Sequence, residues 1–368
     1  MEKSTITTVQ ISSGALRHNL NEFKKFINQI SPVIKTNAYG HGIKEVVSIL
    51  DSEDVPFYTV DSFEEAMIVR SHTSNMPILT VGYVPSCQRI TCRDENIYYT
   101  IVNEEMLEEW LFKITSPTVV HLKIDTGMFR QGIESKHLIR ALKRIKSSKK
   151  LILEGVCTHL ADADASDMDY TDWQIKTWND CVAICKNYFP KLRYIHISNT
   201  AGHAHLEKAV SNLSRLGIGL YGLSGNGYID SLVSLQPVLS MVSYVAGIKK
   251  ISTGSRIGYS GTYISSSPLR IATIPVGYGI GIDRRLSNRG SVLIEGQIAP
   301  IVGRICMNIT IIDVTGIPNV KQGTTVTVIS DKESDKNSVV SIAKICKTIP
   351  HEIVSGVNQS LTRVIIDS

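Results

Sequence analysis

Residues 118–157, TVVHLKIDTGMFRQGIESKHLIRALKRIKSSKKLILEGVC, contain one complete folding unit. Thr118–Asp125 is an apolar run of strand length, Leu138–Lys146 repeats its apolar residues at helical spacing, and Leu151–Cys157 is a second apolar run. A strand, a helix and a strand in that order predict a parallel pair joined by a crossover. The pattern continues outward, with further runs at Pro32–Thr36, Phe57–Val60, Pro77–Val81, Tyr98–Val102, Arg193–Ser198 and Arg215–Leu220. Helical periodicity fills the gaps at Ala15–Ile30, Glu64–Arg70, Glu104–Lys113 and Tyr170–Asn187, and is weak only over 82–97. Eight strands alternating with helices suit a closed (β/α)8 barrel of the TIM type better than an open sheet.

After Leu235 the texture changes. Val238–Ile251, Leu269–Pro275, Ser291–Ile294, Ala299–Arg304, Ile309–Val314, Thr324–Ile329 and Thr362–Asp367 are apolar runs separated by Gly, Pro, Asn and Asp turns. The expected fold class is therefore α/β: an N-terminal (β/α)8 barrel over residues 12–235, with a C-terminal all-β domain made of residues 1–11 and 236–368.

Composition narrows the function classes. Hydrophobic content of 43% and charged content of 20% describe a globular chain and not a disordered one. No apolar run approaches the roughly 18 residues that span a bilayer, so no membrane role is expected. The polar, alternating N-terminus lacks the apolar segment of a secretory signal, which points to a cytoplasmic protein. The seven cysteines are scattered without metal-ligand spacing, so no metal is expected. The net charge of +5 is spread along the chain without interleaved aromatics, which argues against nucleic acid as a partner.

In a barrel, catalytic groups gather at the carboxyl ends of the strands. The stretch "VIKTNAYGHG" (33–42) ends its apolar run on Lys35, an amine able to form a Schiff base with an aldehyde cofactor. Lys123, Asp125 and Arg130 lie at and beyond the next such end; His159 closes "GVCTH", and "YIHISNT" offers His196, Asn199 and Thr200. Arg215 precedes Gly217-Ile218-Gly219. A single charged strand end is commonly a side chain reaching water, but five on one face describe a site for an anion and a polar ligand. Gly217-x-Gly219-x-x-Gly222 matches a dinucleotide fingerprint. The Gly225-Asn226-Gly227 that follows breaks the helix such a site needs, which favours a glycine turn gripping a single phosphate over hydride-transfer chemistry.

The motifs "VIKTNAYGHG", "KIDTGMFRQG", "RLGIGLYGL", "GYSGTY", "PVGYG" and "IVGRICMN", in this order along nearly the whole chain, resemble those of the pyridoxal-phosphate-dependent alanine racemase family. The resemblance implies a barrel plus β domain in a head-to-tail homodimer whose partner completes each active site. It implies that Lys35 anchors pyridoxal 5′-phosphate, that Tyr39, Thr200 and the N–H groups of Gly217 and Ile218 hold the phosphate, and that His159 faces the ring. Arg215 would contact the pyridine nitrogen, oriented by His196. As arginine only donates, that nitrogen would stay unprotonated. Racemisation needs a base on each face of Cα, and the resemblance assigns these to Lys35 and to Tyr259 of the partner subunit. Arg130 and the Met307 N–H would meet substrate, and Tyr278, Arg285 and Asp164 would line its channel. A carbamylated Lys123 would position Arg130.

Three positions depart from the family pattern. His351 stands where a phosphate-binding tyrosine is usual, Asn308 where an aspartate follows "CM", and Met128-Phe129-Arg130-Gln131 where a small residue and leucine are more common around the arginine. They leave a broader racemase, acting on serine or basic amino acids, open beside alanine. Two competitors come from other classes. One is a fold-related decarboxylase, whose usual cysteine-based C-terminal motif and glycine-rich phosphate signature are not apparent, while Tyr259 stands where a racemase needs it. The other is a non-catalytic cofactor carrier, in which Tyr259→Phe would change nothing measurable.

Overall fold

The computed structural model describes residues 6–224 and 227–367, so Gly225-Asn226 and the start of the segment 1–11 lie outside the described residues. The chain-order strands that concern the first unit are β1 (Thr8–Ser12), β2 (Ile30–Pro32), β3 (Tyr58–Val60), β4 (Ile78–Thr80) and β5 (Ile97–Ile101). They continue with β6 (Thr118–Asp125), β7 (Ile133–Glu134), β8 (Leu151–Cys157), β9 (Tyr194–His196) and β10 (Ser214–Leu216).

Eight of these strands form the barrel. β3, β4, β5, β6, β8 and β9 pair in parallel in that order, and β10 pairs with β2. The ring closes through short links: a bridge between Val33 and Thr59 joins β2 to β3, and Asn212 and Arg215 donate backbone N–H bonds to Ile195 and Ser198 between β9 and β10. The little strand β7 hangs on the end of β6.

The helices follow from local chemistry. Ser13–Lys24 starts where the Ser12 hydroxyl accepts from the Ala15 N–H at 3.0 Å, and it buries Leu16, Leu20 and Phe23. Each such side chain contributes about 1.5–3 kcal/mol on leaving water. This helix is shorter than the expected Ala15–Ile30, because the chain must turn before β2. The weak segment 82–97 forms the helix Ser86–Thr91.

The second unit is built on antiparallel sheets. Its six-stranded sheet includes Leu239–Tyr244, which pairs with β1, and Thr362–Ile366, which lies parallel to β1 on the other side. A three-stranded sheet joins Gly247–Ile251, Leu269–Ile274 and Thr310–Asp313. The single run expected over Val238–Ile251 is thus two strands in two sheets, bent at Val245-Ala246. The unit also carries helices Val339–Cys346 and Pro350–Ser355, an addition to the expected all-β composition. The second delivers a side chain to the barrel mouth. Among the described residues no helix is long and apolar enough to cross a membrane.

Candidate active site

A cavity of about 590 Å³ opens at the carboxyl ends of the barrel strands. Lys35 and Tyr39 enter it from beyond β2, Asp61 from β3 and Lys123 from β6. His159 follows β8, Asn199 and Thr200 follow β9, and Arg215, Gly217 and Ile218 come from β10 and the turn after it. Arg130, Asp164 and His351 complete the wall.

Lys35 does not end a strand. It stands three residues past β2, and Thr36, Asn37, Ala38 and Tyr39 after it run through one turn of left-handed backbone, with φ of 53°, 53°, 53° and 51°. Each non-glycine residue there costs about 1–2 kcal/mol, so the surroundings must impose the turn. The Thr36 N–H donates to Glu65 Oε1 at 2.5 Å, and the same carboxylate accepts from the Asp61 N–H at 2.8 Å. The buried His41 adds bonds to the carbonyls of Ala38 and Tyr39. The turn aims Lys35 Nζ into the cavity, 3.4 Å from Asp61 Oδ1, with 37% of the side chain exposed and so open to a ligand.

Glu65 and Asp61 escaped the sequence analysis. Their signal was the capping sequence Asp61-Ser62-Phe63-Glu64-Glu65: the Ser62 hydroxyl accepts from the Glu65 N–H at 3.2 Å, and the Glu65 carboxylate reaches back past the cap to the Lys35 loop.

The far wall is a cationic one. Arg215 is buried, yet among the described residues none of its hydrogen-bond partners is a carboxylate. It donates to His196 Nδ1 at 2.6 Å, to the carbonyls of His196, Thr158 and Ile197, and to His159 Nδ1 at 3.3 Å. Burial, and next the Arg215 charge, hold His159 and His196 well below the ordinary histidine range, so both are neutral. His196 stands behind Arg215 and does not line the cavity. Lys123 is 7% exposed and, among the described residues, has no hydrogen-bond or ion-pair partner. Burial above all, with Arg215, Arg130 and Lys35 nearby, brings its ammonium down to about 8 against the opposing influence of Cys157.

Opposite lies a cradle shaped by a missing side chain. A Cβ on Gly217 would meet the Tyr39 hydroxyl at 2.8 Å, and Ile218 opens a short 3-10 turn, where backbone N–H groups have no partner within the turn. Thr200 Oγ1 accepts from the Gly219 N–H at 3.1 Å, and Asn199 Oδ1 accepts from the Gly202 N–H at 2.8 Å, which fixes this rim. Burial, then Asp61 and Glu65, push the Tyr39 phenol up to about 12, so it is a donor. The His351 ring, from Pro350–Ser355, sits 6.0 Å from the Tyr39 ring, and its buried Nδ1 has no hydrogen-bond partner among the described residues. Amine, donor-rich cradle and cationic wall together fit a phosphorylated aldehyde.

Tyr259, Tyr278 and Met307 are elsewhere. They are 68%, 43% and 55% exposed on the second unit and do not line this cavity. Tyr259 follows Gly258 on the hairpin Arg256–Ile257/Tyr263–Ile264. The Tyr278 and Gly279 N–H groups donate to the Cys306 and Met307 carbonyls at 3.1 and 2.8 Å, which places Tyr278 and Met307 on adjoining loops. Arg285 is held by Asp283 and Glu352 and is likewise outside the cavity. Phe129, beside Arg130, is 80% exposed with φ of 53°.

Residues 11–225 match the alanine racemase N-terminal domain and residues 238–365 the alanine racemase C-terminal domain. The chain is 32% identical over 368 residues to alanine racemase 2 of Caldanaerobacter subterraneus, covering 98% of this chain and 95% of the relative. Its structure is similar to that of alanine racemase from Clostridium difficile 630, with a TM-score of 0.93 and 28% identity, covering 100% and 97% of the two chains. It is also similar to the Bacillus anthracis alanine racemase with bound L-Ala-P, with a TM-score of 0.90 and 31% identity, again covering 100% and 97%.

Proposed function

The chain belongs to the alanine racemase family, and from that premise we propose that it interconverts L- and D-alanine with pyridoxal 5′-phosphate. The working unit is a cytoplasmic homodimer; nucleic acid and membrane are not partners. The barrel comprises residues 12–235, and the unit formed by 1–11 and 236–368 reaches into the partner's site.

One observation carries this reading: the cavity pairs an accessible amine with a donor cradle, while Tyr259, Tyr278 and Met307 stand exposed on the other unit. The cofactor, when bound, supplies an electron sink for the pair left on Cα when its proton departs. Lys35 Nζ anchors it and moves the proton on one face, and Tyr259 Oη of the partner subunit moves it on the other. Tyr39, Thr200, Gly217 and Ile218 hold the phosphate, with Asn199 shaping the rim and His351 offering its unpartnered Nδ1. His159 faces the ring, and Arg215 donates to the ring nitrogen while His196 orients it. Arg130, with Tyr278 and Met307 of the partner subunit, binds substrate.

Lys123 is carbamylated in the working enzyme. Its amine, neutral in substantial part near pH 8, attacks the carbon of carbon dioxide and loses a proton to solvent. The resulting anion relieves the crowding of Lys123 by Arg130 and Arg215. Intact mass is expected to rise by one carbon dioxide and to fall back on acidification; an unchanged mass in saturating bicarbonate refutes it. In carbamate-free protein, the lowered ammonium pKa means the unfolded chain binds more protons between pH 8 and 10.5, so stability should rise with pH across that window. Lys123→Met should flatten the rise.

Gly217→Ala tests the cradle. Its Cβ would crowd the Tyr39 hydroxyl, and overpacking of about 1–3 kcal/mol predicts cofactor affinity weaker by roughly 10–100-fold. Fluorescence titration of the cofactor-free protein measures it, and unchanged affinity removes the phosphate from this turn.

The function itself is tested by following inversion of L-alanine, L-serine, L-lysine and L-arginine in the presence of pyridoxal 5′-phosphate. Alanine is expected to turn over fastest. His351, in the cavity wall 6.0 Å from the Tyr39 ring, favours the broader racemase as second reading, and comparable rates on serine or lysine would establish it. Carbon dioxide release without inversion would identify a decarboxylase instead.

A further inference from the structure

Behind Arg215 runs a buried chain of imidazoles whose inner member has no assigned role. His196 Nε2 lies 2.8 Å from His121 Nδ1, and His196 Nδ1 lies 2.6 Å from Arg215 Nη1. Both histidines are 0% exposed. Arginine only donates, so His196 Nδ1 must accept and its proton must sit on Nε2. That Nε2–H then donates to His121 Nδ1, which places the His121 proton on Nε2, where the described residues offer no acceptor. Every proton in the chain is assigned by the one group that cannot give way.

The fold makes room for His121 deliberately. It projects inward from β6, enclosed by Phe57 at 5.6 Å and Tyr194 at 5.5 Å between ring centroids. The neighbouring strand β8 carries glycine at 155, where a Cβ would come within 2.5 Å of His121 Nδ1. A leucine or phenylalanine would fill this space without burying an N–H that lacks a partner, so packing alone does not account for the histidine. We infer that His121 is a positioning residue, which locks His196 in the tautomer that accepts from Arg215 and thereby aims the guanidinium at the cavity. Without the acceptor at His121 Nδ1, His196 would either strand its own Nε2–H in the core or move that proton to Nδ1. The second choice opposes two donors and swings Arg215 away. Burial, and next the Arg215 charge, push His121 down to about 3, so no ambient pH breaks the chain by protonating it.

The consequence for catalysis rests on the proposed role of Arg215; the tautomers do not. Nitrogen-15 spectra of histidine-labelled, cofactor-free protein, assigned by single histidine replacements, should show His121 and His196 both neutral with the proton on Nε2. A proton on Nδ1 of either ring overturns the inference. In the loaded enzyme, His121→Phe should lower kcat for alanine by roughly 10–100-fold with KM little changed, in the range seen when a buried orienting partner is removed. His121→Gln, whose amide oxygen can accept from His196, should recover most of the loss. Wild-type kcat in His121→Phe, or no recovery in a folded His121→Gln, would contradict it. The spectra need no cofactor, so they decide the tautomer chain even if alanine is not inverted, an outcome that would count against the functional reading alone.

Discussion

Lys35→Ala protein should fold as the wild type does, take up no covalently attached cofactor, and lose racemisation by about 10⁴-fold or more. The expected loss is large because one side chain performs two tasks, anchoring the cofactor and moving the proton on one face, and proton transfer by a positioned group alone is worth roughly 10²–10⁴-fold. The fold should be indifferent because Lys35 Nζ has Asp61 as its ion-pair partner, at 3.4 Å and in contact with solvent. Such exposed pairs contribute at most about 1 kcal/mol. The left-handed turn after Lys35 is held by Glu65 and His41, which the substitution leaves in place. Absorbance in the visible, borohydride-fixed mass and a melting curve check the three parts. Retained inversion, or a collapse in melting temperature with all else lost, would each remove Lys35 from the centre of the account.

Tyr259→Phe is expected to cost roughly 10²–10⁴-fold in racemisation with cofactor binding intact, since the phenol supplies one proton transfer and little else. The phenol is 68% exposed in the single chain, so its removal leaves no buried group unsatisfied. The loss should be uneven between the faces. In heavy water, one enantiomer of alanine should continue to exchange its Cα proton through Lys35 while the other stops. Equal exchange from both enantiomers at wild-type rates would show that Tyr259 takes no part.

Much of the barrel was legible because its signals are local. Thr118–Asp125 and Leu151–Cys157 occur in the structure with the expected bounds, as apolar runs closed by polar turns. Other ends moved by a few residues where tertiary pairing sets the limit: β2 stops at Pro32, and its continuation is one bridge at Val33. The residues at the strand ends were readable for the same reason, since polar groups after an apolar strand have to face the barrel mouth.

Less legible were features created by contacts distant in sequence. No propensity predicts Thr36, Asn37 and Ala38 in the left-handed region; that turn exists because Glu65, 29 residues away, accepts from Thr36. The helices Val339–Cys346 and Pro350–Ser355 lie among strands, too short for periodicity to outweigh the β texture around them. His121 was hidden inside a strand whose apolar pattern it does not disturb, and only its contact with His196, 75 positions away, gives it meaning.

The most direct test of a site shared between subunits uses two variants that should each be inactive. Lys35→Ala and Tyr259→Phe chains are co-expressed with distinct tags, and the mixed dimers are purified from the pool. Random pairing makes about half of all dimers mixed, each with one site that has Lys35 from one chain and Tyr259 from the other, so the pool should recover about a quarter of wild-type activity. Within the purified mixed dimer the figure should be about half. If the mixed dimer is as inactive as its parents, each site draws both residues from one chain or does not use them, and the shared-site account is wrong.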